Sequence, residues 1–238
     1  MPSPHHSFID PTIPSLTPSF PPTTTSNPPS SPPSKSPALS SLIKALNLQP
    51  HIEGGYFAET DRDPLLVPNP FISSNSSTSQ GDNKAVAADD DKTRNASTTI
   101  FYLLTPQSPQ GHFHRNKART VHTLHRGRGR YVLIHAEDSR QDGETGKWMS
   151  KARVETFVVG QDVEKGERLQ WVVGGGVYKA SYLLPDREDG GGEEAESGGL
   201  LISETVVPGF EYGDHDFLRE ETFGELVGEE EGRELGWL

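Results

Sequence analysis

Cysteine is absent from the 238 residues, which excludes a disulfide framework, a zinc–thiolate site and thiol catalysis. No apolar run approaches the ~18 residues that a membrane-spanning helix needs, so no membrane partner is expected. Proline is scarce over most of the chain: 12 of the 20 lie in residues 1–38. That Pro/Ser/Thr-rich arm has in turn only scattered single hydrophobic residues (Phe8, Ile9 and Phe20 among them), too few to offset the entropy of ordering, and disorder is expected there. It also lacks the continuous apolar core of a signal peptide and the arginines of a transit peptide, which makes a cytosolic or nucleocytoplasmic location the expectation. No internal repeat is present.

Positive charge is in short supply, with 22 Lys and Arg against 34 Asp and Glu and a net charge of −12. The excess is local. Residues 186–199 carry net −5 and residues 219–238 another −5, while residues 82–94 add −1. Acidity therefore belongs to polar insertions and a tail, where it serves solubility.

What remains is β-rich. Ser36-Pro37 is an N-cap followed by proline at the first helical turn, and Leu39, Leu42, Ile43 and Leu46 then share a helical face. Residues 69–95 read as a flexible insertion, as do 186–199. Short runs rich in β-branched and aromatic residues follow at 98–104, 119–124, 130–135, 153–159, 168–173, 177–184 and 200–207. Many short strands with Gly-marked turns point to a sandwich or barrel of the double-sheet jelly-roll type, with an acidic tail over 219–238.

Four of the nine histidines, His112, His114, His122 and His125, fall within 14 residues. Strand alternation would turn His112 and His114 to one face, and Thr120 and His122 to one face of the next strand, with His125 opposite. Between residues 115 and 130 there are six bases, among them Arg115 and Arg119, and no acid. Arg126, Arg128 and Arg130 read as an exposed hairpin turn, and the run is too short and too poor in aromatics for a nucleic-acid tract.

Four ordered segments carry a resemblance. HIEGGYFAETDR (51–62), the histidine-rich stretch 97–135, WVVGGGVYKAS (171–181) and LISETVVPGFEYGDHDFL (201–218) resemble the cupin-5 (DUF985) group. That resemblance implies an all-β double-stranded β-helix over residues 39–218, a homodimer, and one small-molecule pocket per barrel. It also places Glu53, Tyr56 and Phe210 near the barrel mouth. Metal-binding cupins use three histidines and a glutamate; here Thr120 takes the glutamate position and Lys179 that of the last histidine. A hydroxyl is a poor ligand and an ammonium repels cations, so no metal or other cofactor is expected in that arrangement. His122 beside His112 and His114 is the alternative, a rebuilt three-histidine metal site serving an oxidoreductase. Lys179 amid the bases instead implies a receptor for an anionic, sugar-like or nucleotide-sugar-like metabolite, ringed by His112, Arg115, Arg119, Thr120 and Tyr131. Isomerase chemistry would use His114 or His122 as base and Lys179 as stabiliser of the enolate. A non-catalytic metabolite-binding module needs the same cavity without the acid–base pair.

Overall fold

The computed structural model describes residues 16, 18–20, 36–72, 92–141, 148–186 and 197–238. Helix α1 (Pro37–Ala45) begins at the proline, with Ser36 in extended conformation before it, and Asn47 at φ 52° turns the chain away. Strands β1 (Gln49–Pro50) and β2 (Tyr56–Arg62) flank the Glu53–Gly55 turn. A small ribbon of β3 (Leu66–Pro68) and β4 (Thr93–Asn95) lies across the base of the long insertion, whose residues 73–91 are outside the described set. The body then runs through β5 (Thr98–Leu104), β6 (Gln110–Asn116), β7 (Arg119–Arg126) and β8 (Gly129–His135). After the ribbon β9 (Arg140–Gln141) and β10 (Trp148–Ser150) come β11 (Arg153–Val159), β12 (Gln170–Val173), β13 (Tyr178–Leu183), β14 (Leu200–Val207) and β15 (His215–Phe217).

These strands form two antiparallel sheets, ordered β1-β2-β5-β14-β7-β12 and β11-β8-β13-β6-β15. Consecutive strands such as β7 and β8 fall in different sheets, as in a jelly roll. The Arg126–Arg130 segment is therefore a corner between sheets and not a hairpin turn. Gly127 takes φ +79° there, and a Cβ would meet the Gly199 carbonyl oxygen at 2.1 Å. Arg126 is exposed, but Arg128 donates to Glu167 at 2.5 Å and Arg130 is buried against Thr156.

The sheets enclose a core of Tyr102, Leu104, Leu124, Tyr131, Leu133, Phe157, Trp171 and Ile202 among others. Alternation along β5 turns Tyr102 and Leu104 inward while Leu103 meets α1 residues Leu42 and Ile43 on the outer face. The outer face of the second sheet (Val132, Ile134, Tyr178, Ala180, Tyr182) is covered by helices α2 (Glu220–Leu226) and α3 (Glu229–Leu235) through Leu226, Val227 and Leu235.

Two expectations need correction here. The acidic tail is packed, because its few apolar side chains fall on the helical faces that meet the sheet. The N-terminal arm is not wholly without structure: Leu16 joins the outer cluster at 2% exposure and Phe20 joins the inner core. The Leu16 carbonyl accepts from Trp237 Nε1 at 2.6 Å, and its amide donates to Glu234 at 3.0 Å. Residues 187–196 lie outside the described set.

Candidate functional site

Among the described residues, a group of polar side chains interrupts the apolar interior between the sheets. A narrow, partly open cavity is lined by Glu53, Tyr102, His114, Tyr131, Lys179, Ala180, Ser181 and Glu204. Its enclosed part has room for about one water molecule.

β13 delivers Lys179 inward, opposite His114 of β6. Its ammonium, 3% exposed, donates to Glu204 Oε2 at 2.5 Å and to His122 Nε2 at 3.0 Å. Glu204 reaches the interior because β14 alternates Leu200, Ile202, Glu204 and Val206 on its inner face. Burial pushes the Glu204 carboxyl up, but the Lys179 ammonium first and the adjacent His122 second outweigh it and hold the group well below the usual carboxylate range. His122 is stacked on Trp171 (5.1 Å between centroids, 11° between planes); burial, aided by Lys179, lowers its pKa, so the ring is neutral at pH 7.

Across the cavity, Glu53 is carried by the Glu53-Gly54-Gly55 turn. Gly54 has φ +101°, and a Cβ there would lie 2.1 Å from the Gln110 carbonyl oxygen, so the turn needs glycine to sit against β6. The Glu53 carbonyl accepts from the His112 amide at 2.7 Å, completing the dock. Its carboxylate accepts from His215 Nε2 at 2.7 Å and lies 3.3 Å from His114 Nε2 and 3.4 Å from His51 Nδ1. Burial raises the Glu53 pKa, yet His114, His215 and His51 together bring it below the ordinary value. Burial also drives His114 down to about 4 against the pull of Glu53, and lowers His51. Tyr102 and Tyr131 are pushed well above 10 by burial first and by the nearby carboxylates second, so both phenols keep their protons.

Of the residues singled out in the sequence, His114, Thr120, His122, Tyr131, Lys179 and Glu53 are buried, and four of these line the cavity. His122 stands behind Lys179 rather than on the cavity wall. His112 does not converge with His114. The β6–β13 register slips between Lys179–His114 and Ser181–Gly111, and this bulge places an extra residue in β6 that reverses the expected parity. His112 is consequently exposed on the outer side, its Nδ1 2.9 Å from the Leu238 carbonyl oxygen. Arg115 is also outside, paired with Asp216 at 3.0 Å and set over the Tyr178 ring, and Arg119 is exposed. Tyr56 packs with the α1 cluster, whereas Phe210 touches the His215 ring edge-on at 6.1 Å.

The ring of cations drawn from the sequence is therefore not formed around the cavity: Lys179 is matched by Glu204, and Glu53 adds a second carboxylate. Nor do the residues present fit the usual cupin metal arrangement, since His112 faces out, Thr120 stands for the glutamate and Lys179 is bound to Glu204. The three-histidine alternative through His112 fails for the same reason. In the sequence Glu204 is not singled out, and His215 reads with Asp214 as no more than a turn polar. Inward parity with Leu200 and Ile202 was the available signal for Glu204; His215 lies 162 residues from Glu53 and gave none.

Residues 40–218 match the family described as Cupin_5, Cupin superfamily (DUF985). The chain belongs to this family. This cupin is 44% identical over 203 residues to the "Uncharacterized protein YML079W" of Saccharomyces cerevisiae, covering 84% of this chain and 85% of that one. Among solved structures it is similar to a hypothetical protein from Leishmania major, at 30% identity and TM-score 0.56, covering 79% of this chain and 91% of that one. The protein SO0799 from Shewanella oneidensis shares the fold, at 21% identity and TM-score 0.51 over 77% and 86% of the two chains. No helix among the described residues is long and apolar enough to cross a membrane.

Proposed function

We propose that this cupin binds a small carbonyl-bearing, sugar-like metabolite in the barrel and transfers a proton at the carbon next to the carbonyl, as an isomerase or epimerase does. The observation that carries this reading is the Lys179–Glu204 pair at 2.5 Å on the cavity wall. A carbonyl oxygen arriving at Lys179 would draw the ammonium away from Glu204 and hold the developing enolate. Glu204, ionised beforehand, would lose the contact that depresses its pKa; burial then strengthens it as the base that takes the proton. His122, neutral behind Lys179, positions the ammonium; Tyr131 lines the cavity as a protonated phenol, while the Tyr102 hydroxyl donates to the Gly54 carbonyl at 2.9 Å. This assignment moves the base from His114 or His122 to Glu204, the carboxylate that shares the cavity wall with Lys179. The balance of two carboxylates to one ammonium disfavours an anionic group at the centre, so any phosphate of the guest belongs outside the barrel. Reaction also requires the narrow cavity to widen.

The test is solvent-deuterium exchange into a panel of small aldoses, ketoses and keto-sugars, followed by NMR. Wild type is expected to introduce deuterium next to the carbonyl of at least one compound. Glu204→Gln and Lys179→Met should each reduce the rate by roughly 10²–10⁴-fold. A compound that binds without exchange would identify a metabolite-binding module instead, and no binding across the panel would refute the reading.

A further inference from the structure

Glu53 is a buried carboxylate whose described ion-pair partners are all histidines: His51, His114 and His215. Lys179, which lines the same cavity, is committed to Glu204. His114 Nδ1 lies 2.8 Å from the carbonyl oxygen of His112. A carbonyl only accepts, so Nδ1 carries the proton and the neutral ring turns the lone pair of Nε2 towards Glu53 Oε2, 3.3 Å away. Two acceptors then face each other in a buried site, an arrangement that calls for a cation between them. His215 completes the set. Its ring stacks on that of His114 at 5.3 Å and 18°, and both present Nε2 to the same carboxylate. Parallel stacking also opposes charging both rings at once.

We propose that Glu53, His114 and His215 form a site for a divalent first-row transition ion. Their donor atoms all lie within 4.8 Å of one another. The separation of 3.3 Å between His114 Nε2 and Glu53 Oε2 is close to the ~3.4 Å edge of a tetrahedron with ligand distances of about 2.1 Å. Two imidazoles and a carboxylate leave coordination positions open, and Glu53 and His114 direct them to the cavity. The hydrogen bond from His114 Nδ1 to a backbone carbonyl is the outer support that metal-ligating histidines use to fix tautomer and orientation. Loading requires the proton on His215 Nε2 to leave for Nδ1 or solvent. None of the three residues occupies the ligand positions that fail at Thr120 and Lys179.

The full-length chain, stripped with chelator and titrated with Co²⁺ under visible absorption and calorimetry, tests this. One equivalent is expected to bind with a coordinated-cobalt absorption band. Glu53→Gln and His215→Asn should each weaken binding by at least about 100-fold, while His112→Ala and His135→Ala, which alter histidines outside the barrel, leave it unchanged. Should Glu53→Gln not fold, His215→Asn on the short strand β15 decides alone. Lys179→Met, which would abolish the proton transfer proposed above, should retain the cobalt site, so the two readings fail separately. Binding that is absent, that is not saturable at one equivalent, or that depends on His112 instead overturns the assignment.

Discussion

Burying the Glu204 carboxylate beside Ile202 and Val206 costs several kcal/mol unless a cation stands against it. Lys179 supplies that cation at 2.5 Å, and the neutral His122 accepts a second proton of the same ammonium at 3.0 Å. This chain of three groups makes the barrel sensitive to acid. Because the folded state lowers the His122 pKa below its ordinary 6.5, the unfolded chain takes up that proton first, and stability falls as pH drops below about 6.5. Glu204 acts in the same direction lower down, since a depressed carboxylate stabilises at neutral pH and loses that contribution as pH falls through its folded value. Urea unfolding midpoints should hold steady above pH 7 and begin to decline near 6.5, before surface carboxylates titrate. In His122→Gln the decline should still begin near 6.5 but be shallower, because His114, driven down to about 4, and His51 keep the same dependence. A wild-type midpoint that stays level down to pH 5 would contradict the buried neutral imidazole.

At the scale of elements, strand parity could be read wherever a ladder is regular. In β7 the alternation of Thr120, His122 and Leu124 inward with His125 outward follows from the sequence, and His125 indeed meets the Phe101 ring on the outer face. In β6 the same rule fails at His112, because a bulge is a property of two strands and leaves no mark in one. β14 marked Glu204 only faintly: it shares parity with Leu200, Ile202 and Val206, while Leu201 on the other parity is buried as well. Of the two tail helices, α2 was legible as a helix from the spacing of Phe223, Leu226 and Val227, whereas α3 was masked by its glutamates. Leu226 and Leu235 are nonetheless 1% exposed, and the Leu226 carbonyl accepts from the Ala152 amide at 2.7 Å. Leu235→Ala should therefore cost about 2–5 kcal/mol in denaturant unfolding, against less than about 0.5 kcal/mol for the exposed Glu230→Gln. Equal midpoints for the two variants would mean that the tail does not seal the sheet.

For the molecule as a whole, the jelly roll was legible because four separated motifs occur in the order of one family, and the family match covers residues 40–218. The site was legible only in part. Its groups come from the Glu53 turn, β6, β13, β14 and β15, and long-range convergence of this kind is fixed by sheet order rather than by spacing. The arm adds a further long-range contact: Phe20, in a stretch too polar to read as structured, contributes to the inner core, while Leu16 is tied to Trp237 near the other end of the chain. The acidic helices α2 and α3 pack on the outer face of the second sheet, outside the barrel. The interior follows its own balance, in which an ammonium is held by a carboxylate; in the function proposed above that ammonium receives a carbonyl guest. Native mass spectrometry of gently purified full-length protein tests that claim most directly. The account predicts a retained small organic molecule bearing a carbonyl or its enol, present at one per barrel in wild type and missing from Lys179→Met folded to the same extent. A wild-type barrel that carries none after exposure to cell extract, or a guest that Lys179→Met holds equally well, would contradict it.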